Sequence, residues 1–314
     1  MTVERVRRKV RRTKRRWERL GWRKSLGLPL HELRWRLSSP ESRARWADER
    51  LALGEGDYWL FLVGLNNSGT SILSRILASH PRVRALPNEG QLLSPAFPSA
   101  PRLGVGRLWT KRLDVFRWTE ESDPGSALRA RFDWAYHFAP GPGILLEKSP
   151  PDAIRARWLQ ANFRPSRFVA LTRHPYAVCE GIRRRTGALI REAAEHWKRG
   201  NEILLDDVEQ LDRSLLLTYE GLTERTAEEL ERVRAFLGLE EPFDERVLAA
   251  PIPMHNISGK PQRIQNLNSR SLERLSPADL DTIHEVAGPL MERLGYERAT
   301  VAAGAPRAQL APRK

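Results

Sequence analysis

The stretch that most limits what this chain can fold into is Tyr58-Trp59-Leu60-Phe61-Leu62-Val63-Gly64. It runs on into Leu65-Asn66-Asn67-Ser68-Gly69-Thr70-Ser71, and then into Ile72, Leu73, Ile76 and Leu77 at helical spacing. An apolar run of strand length without alternation belongs to a strand buried on both faces. Gly64 and Gly69 let the intervening backbone curl tightly, so that successive N–H groups converge on one anion. The N-terminus of the helix that follows adds about half a unit of positive charge at the same place. With a strand before and a helix after, the stretch has the context of a phosphate-binding loop; an ordinary turn is the alternative.

Three further runs have strand character: Ile144–Glu147, Phe168–Thr172 and Ser214–Tyr219. Segments of helical period lie around them, at Ile154–Asn162, Ala188–Val208, Thr226–Leu237 and Pro277–Leu294. Strands alternating with helices predict an α/β fold, here a P-loop-like three-layer sandwich with a central parallel sheet. A basic helical extension over residues 1–55 precedes the α/β domain of residues 56–298, and residues 299–314 form a tail expected to be disordered. Within the domain, residues 87–143 are rich in proline, glycine and scattered aromatics. They predict a loop-rich insertion with short helices, suited to acceptor specificity.

Charge is concentrated at one end. Residues 1–50 carry 17 Lys and Arg against 6 Asp and Glu, so +11 of the net +14 sits there. Val6, Val10, Trp17 and Leu20 share one helical face among arginines. Such a helix over residues 1–26 can lie on an anionic membrane surface, or its apolar stripe can dock on its own domain. No nucleic-acid module accompanies the charge, so no nucleic-acid partner is expected. No apolar run approaches the ~20 residues needed to cross a bilayer. One cysteine, Cys179, fits a reducing compartment. These features favour a cytoplasmic protein, peripheral at the inner membrane surface if the arm binds lipid.

The loop matches a nucleotide-triphosphate loop except that Thr70 stands where that pattern needs lysine, which weakens a magnesium-triphosphate kinase reading. Asn67-Ser68-Gly69-Thr70-Ser71 instead resembles the Arg/Lys-Ser-Gly-Thr-Thr/Ser loop of the sulfotransferase family that uses 3′-phosphoadenosine 5′-phosphosulfate (PAPS). The resemblance continues in order through Ala78–Pro81, Leu86–Glu89, Leu146–Pro150, Phe168–Pro175, Thr218–Leu222 and Phe236–Leu239, in the manner of the bacterial and Golgi-type branch. It covers roughly residues 58–297. It implies sulfonate transfer from PAPS, without a metal, to a hydroxyl or amine of an acceptor such as a carbohydrate or glycolipid.

The resemblance also implies roles. Asn66, Asn67, Ser68, Gly69, Thr70 and Ser71 would grip the 5′-phosphosulfate. Arg173, at the C-terminal edge of a strand, would fork onto the 3′-phosphate; the alternative is a surface arginine paired with Glu180 or Glu192. Gly181 stands where the family carries a serine that also binds that phosphate. Lys260 and Arg263, in Ser258–Arg263, match a late loop that closes over the nucleotide, or are simply solvated. Lys148 stands at the family's catalytic lysine. The histidine two positions later in cytosolic-type members is replaced by Pro150, so Glu89, 22 positions after Asn67, is the candidate base, with a capping or salt-bridged role as its alternative. His174 and His255 are substitutes for it. Asn67 replaces a cation of the family, which leaves open a non-catalytic module that binds nucleotide or polyanion.

Overall fold

The computed structural model describes residues 22–244 and 264–299, with side chains from Gly27 onward. The basic stripe from Val6 to Leu20, the loop carrying His255, Lys260 and Arg263, and the tail from residue 300 lie outside the described residues.

Two helices come first, α1 (Trp22–Leu37) and α2 (Pro40–Leu51). The second starts cleanly: Ser39 accepts a hydrogen bond from the Ser42 amide, and Pro40 takes the first helical position, where a missing N–H costs nothing. The sequence predicts one irregular helical stretch from about Leu30, but Ser39-Pro40 splits it into two helices. These helices pack on the insertion. His31 bonds Asp133 at 2.9 Å and stacks on Phe132, and Arg129 bonds Glu32 at 2.6 Å.

The sheet has strands β1 (Trp59–Val63), β2 (Val83–Ala85), β3 (Ile144–Glu147), β4 (Ser166–Thr172) and β5 (Ser214–Thr218). All pairings are parallel, in the order β2-β3-β1-β4-β5. β1 is central and wholly buried. Trp59, Phe61 and Val63 enter one hydrophobic cluster, while Leu60 and Leu62 enter the other. Full burial of each such side chain contributes about 1.5–3 kcal/mol, so this strand anchors both layers at once. The first cluster is closed by α4 (Gly125–His137), α5 (Ala156–Asn162), α6 (Pro175–Thr186), α7 (Ile190–Val208) and α9 (Pro277–Arg293). The second is closed by α3 (Thr70–Ala78) and α8 (Thr226–Leu237). The result is the expected α/β sandwich, helices on both faces of a parallel sheet.

Two elements differ from expectation. β2 has no apolar run to announce it: its middle residue, Arg84, is buried and donates to the Ala139 and Leu51 carbonyls at 2.8 Å each. The insertion, expected to hold short helices, includes the 13-residue helix α4. Among the described residues, no helix is long and apolar enough to cross a membrane.

Candidate functional site

Every strand delivers residues to one place. Asn66 follows β1, Glu89 follows β2, Lys148 follows β3, Arg173 follows β4 and Tyr219 follows β5. All five line a cleft of about 460 Å³ at the C-terminal edge of the sheet, the edge where open parallel sheets bind ligands. Asn67, Gly69, Thr70, Ser71 and Gly181 also line it, whereas the Ser68 side chain is buried beneath the loop.

The loop has its shape because two positions have no room for a side chain. A Cβ on Gly64 would meet the Leu171 carbonyl oxygen at 2.4 Å, and one on Gly69 would meet the Tyr219 ring at 2.6 Å. Gly69 also has φ of 95°, a left-handed value that glycine adopts at little cost. The chain then turns into α3, with the Ile72 amide donating to the Gly69 carbonyl at 2.9 Å. The first amides of a helix have no intrahelical acceptor, so this end faces the cleft as a ready anion site.

Lys148 and Glu89, expected from different motifs, are brought together: Lys148 Nζ lies 3.0 Å from Glu89 Oε1. Glu89 Oε2 accepts from Gln91 Nε2 at 2.9 Å. The backbone beside Glu89 is fixed from below. The Gly90 amide donates to Glu147 Oε1 at 2.9 Å, the Gln91 amide donates to Ser149 Oγ at 3.1 Å, and Trp134 Nε1 donates to the Gly90 carbonyl at 3.0 Å.

This support has a titratable core. Burial, and then the neighbouring Asp152 carboxylate, push Glu147 well above the usual carboxylate range. Above pH ~4.5 the unfolded chain releases that proton while the folded chain keeps it. The contribution of Glu147 is therefore full below the unfolded pKa and is lost as pH rises toward the folded one. Glu147→Gln cannot titrate and still accepts from Gly90. The melting midpoint of the wild type minus that of Glu147→Gln is expected to fall by about a few degrees between pH 5 and pH 8. A difference independent of pH would remove Glu147 as a buried acid.

Arg173 is held in a frame. Its Nε donates to Asn268 Oδ1 and one terminal nitrogen donates to the Asn67 carbonyl, each at 2.8 Å; its guanidinium lies 3.8 Å from the centre of the Tyr219 ring. Asn268 is oriented in turn by Glu220, to which it donates at 2.6 Å. The alternative pairings do not form: Glu180 bonds Arg184 at 2.8 Å, and Glu192 bonds Lys111 at 2.5 Å. His174 caps α6, is buried and does not line the cleft. Its Nδ1 accepts from the Tyr176 amide, and its Nε2 lies 3.0 Å from the Glu297 carbonyl.

Gly181 and Asn67, both departures from the family pattern, touch. A Cβ on Gly181 would lie 2.9 Å from Asn67 Nδ2, so the asparagine side chain fills the space a serine would need. Sequence reasoning passes over several cations of the cleft: Arg75, Arg107, Arg184, Arg185, Arg270 and Arg274. A buried nitrogen on Arg75 and another on Arg185 have no protein partner. The run Arg183-Arg184-Arg185 at the end of α6 is visible in the sequence, but Arg107 belongs to no motif. Burial, and then Arg185, pull the Arg107 pKa down, with Glu89 opposing them. A cleft of this size falls within the range of small-molecule sites, about 300–1,000 Å³, and its loop amides and cations suit a nucleotide with phosphates at both ends.

Among solved structures, the sulfotransferase domain of the Synechococcus PCC 7002 olefin synthase shares 23% identity, over 77% of this chain and 95% of that one, with a TM-score of 0.50. Sulfotransferase STF9 from Mycobacterium avium shares 15%, over 82% of each chain, with a TM-score of 0.51. Both likenesses are of fold. None of the curated proteins matches the chain. The model of the Sulfotransferase family matches residues 60–245, a span that runs from β1 past the strand after Arg173, and the chain belongs to that family.

Proposed function

We propose that this protein transfers a sulfonate group from PAPS to a hydroxyl or amine of an acceptor, in the carbohydrate or glycolipid class. The observation that carries this reading is the meeting of the loop at residues 66–71, the Lys148–Glu89 pair and Arg173 in one cleft. In this reading the loop amides hold the 5′-phosphate, and Arg173 takes the 3′-phosphate. Lys148 stabilises charge on the oxygen that leaves sulfur, and Glu89 takes the proton of the acceptor. A loose transition state, by analogy with phosphoryl transfer, asks for positioning and charge stabilisation more than for covalent chemistry.

Thermal shift separates the classes. Adenosine 3′,5′-bisphosphate at a hundred times its dissociation constant is expected to add about 2.7 kcal/mol of stability, and magnesium-ATP far less. A clear shift with ATP and none with the bisphosphate would favour a kinase. The competing non-catalytic reading rests on Asn67, which brings no charge to the loop, and on Gly181, which brings no hydroxyl. It predicts a shift with the bisphosphate but no labelled product when radiolabelled donor is incubated with candidate acceptors.

A further inference from the structure

The family's loop cation is missing at Asn67, but the space beside Asn67 is not without charge. Arg107, 40 residues away in the insertion, donates from a terminal nitrogen to Asn67 Oδ1 at 3.3 Å. That is a long bond to a neutral oxygen, a weak use of a partly buried guanidinium. Among the described residues Arg107 has no carboxylate partner within ion-pair distance. The acid whose charge acts on it is Glu89, already engaged by Lys148 and Gln91.

The segment that carries Arg107 is fastened firmly. Trp109 Nε1 donates to Asn66 Oδ1 at 3.1 Å, and the indole meets the His196 ring edge-on at 4.5 Å. Thr110 Oγ1 lies 2.7 Å from His196 Nδ1, and Lys111 pairs with Glu192 at 2.5 Å. Burial holds the His196 pKa down at about 3, so this anchor stays neutral through the physiological range. Three successive residues after Arg107 are thus tied to β1's loop and to α7. A cation fixed on such a support is preorganised, the condition under which electrostatic stabilisation costs no rearrangement during reaction.

We propose that Arg107 supplies, from the insertion, the positive charge that the phosphate loop lacks at Asn67, and that it contacts the 5′-phosphate of the donor. This inference rests on the sulfotransferase reading above. As the acceptor oxygen bonds to sulfur, the bond from sulfur to the bridging phosphate oxygen breaks and its electron pair stays on that oxygen. The acceptor proton passes to Glu89, leaving the sulfated acceptor and the bisphosphate. Arg107 donates to the oxygen that gains the electron pair. Asn67 and Gly181 then form one arrangement with it: the short amide leaves room for the guanidinium, and the glycine leaves room for the amide.

Calorimetry with two nucleotides tests this without knowledge of the acceptor. Adenosine 3′,5′-bisphosphate keeps the 5′-phosphate, and adenosine 3′-monophosphate lacks it. Arg107→Gln is expected to weaken the bisphosphate about tenfold or more while leaving the monophosphate within about twofold, because one charge-assisted bond is lost. Arg107→Lys, which keeps the charge, is expected to retain most of the affinity. Placing the cation back on the loop, as Asn67→Arg in the Arg107→Gln background, is expected to restore the preference for the bisphosphate. An equal loss on both nucleotides, or no loss on either, overturns the role of Arg107 while the donor reading stands. A wild-type protein that binds neither nucleotide overturns both.

Discussion

Glu89→Gln is expected to lower turnover by about 10²–10⁴-fold with the acceptor at saturation, while the affinity for adenosine 3′,5′-bisphosphate changes by less than about threefold. The carboxamide keeps the shape of the side chain. Its oxygen can still accept from Lys148, at the position where Glu89 Oε1 lies 3.0 Å away. Gln91 must turn its own amide, since Glu89 Oε2 now accepts from it and the variant places a donor there. That adjustment is local, because Gly90 and Gln91 are held through their backbone amides by Glu147 and Ser149. The variant therefore removes the proton acceptor and little else. Normal turnover in steady-state assays with PAPS and a sulfated acceptor as the product would dismiss Glu89 as the base.

Arg173→Ala should instead act on binding, with a loss of about 30-fold to 1,000-fold in bisphosphate affinity measured by calorimetry. The magnitude follows from how the side chain is held. Its guanidinium stacks on Tyr219, spans from Asn268 to the Asn67 carbonyl, and loses part of its hydration through burial. On the proposed reading, truncation removes the charge that would meet the 3′-phosphate, and it also frees the loop at Asn67. Arg173→Lys separates these effects. An ammonium keeps the charge but cannot fork between two acceptors, so only part of the affinity should return. Unchanged affinity in Arg173→Ala would place the second phosphate elsewhere in the cleft.

The parts of the fold legible in the sequence are those where one strong local signal suffices. β1 declares itself because both its faces are buried, and α8 occupies the residues its spacing predicts. β2 is hidden because three residues cannot display a pattern, and its central arginine is buried by carbonyl partners that the sequence does not bring near. α4 is hidden for another reason. Asp133 and His137, polar positions that should mark a solvated face, are both buried, Asp133 against His31 of α1.

The site divides along the same line. The loop, Glu89, Lys148 and Arg173 each stand at the end of a strand, where motif and geometry coincide. Arg107 stands at no strand end and reaches Asn67 only through the packing of Trp109 and Thr110 on β1's loop and α7. Distance in the chain and the absence of any periodicity leave such a contact unmarked. The buried group of Glu147, Asp152 and Arg155 is similar: its residues are visible beside Lys148, but their role under the Glu89 turn arises from close packing.

β2 and β3 pair in parallel, so the crossover from Ala85 to Ile144 leaves the sheet at the rim that carries the cleft and re-enters at the opposite rim. Three points of that crossover are tied beside the cleft: Gly90 to Glu147, Trp109 to Asn66, and Trp134 back to the Gly90 carbonyl. Exposed stretches of the crossover that carry none of these ties, such as residues 101–104, can change in length or shape without moving Glu89 or Arg107. On the proposed sulfotransferase reading, such stretches are where the roof over the acceptor could be redrawn while the residues that would hold the donor stay put.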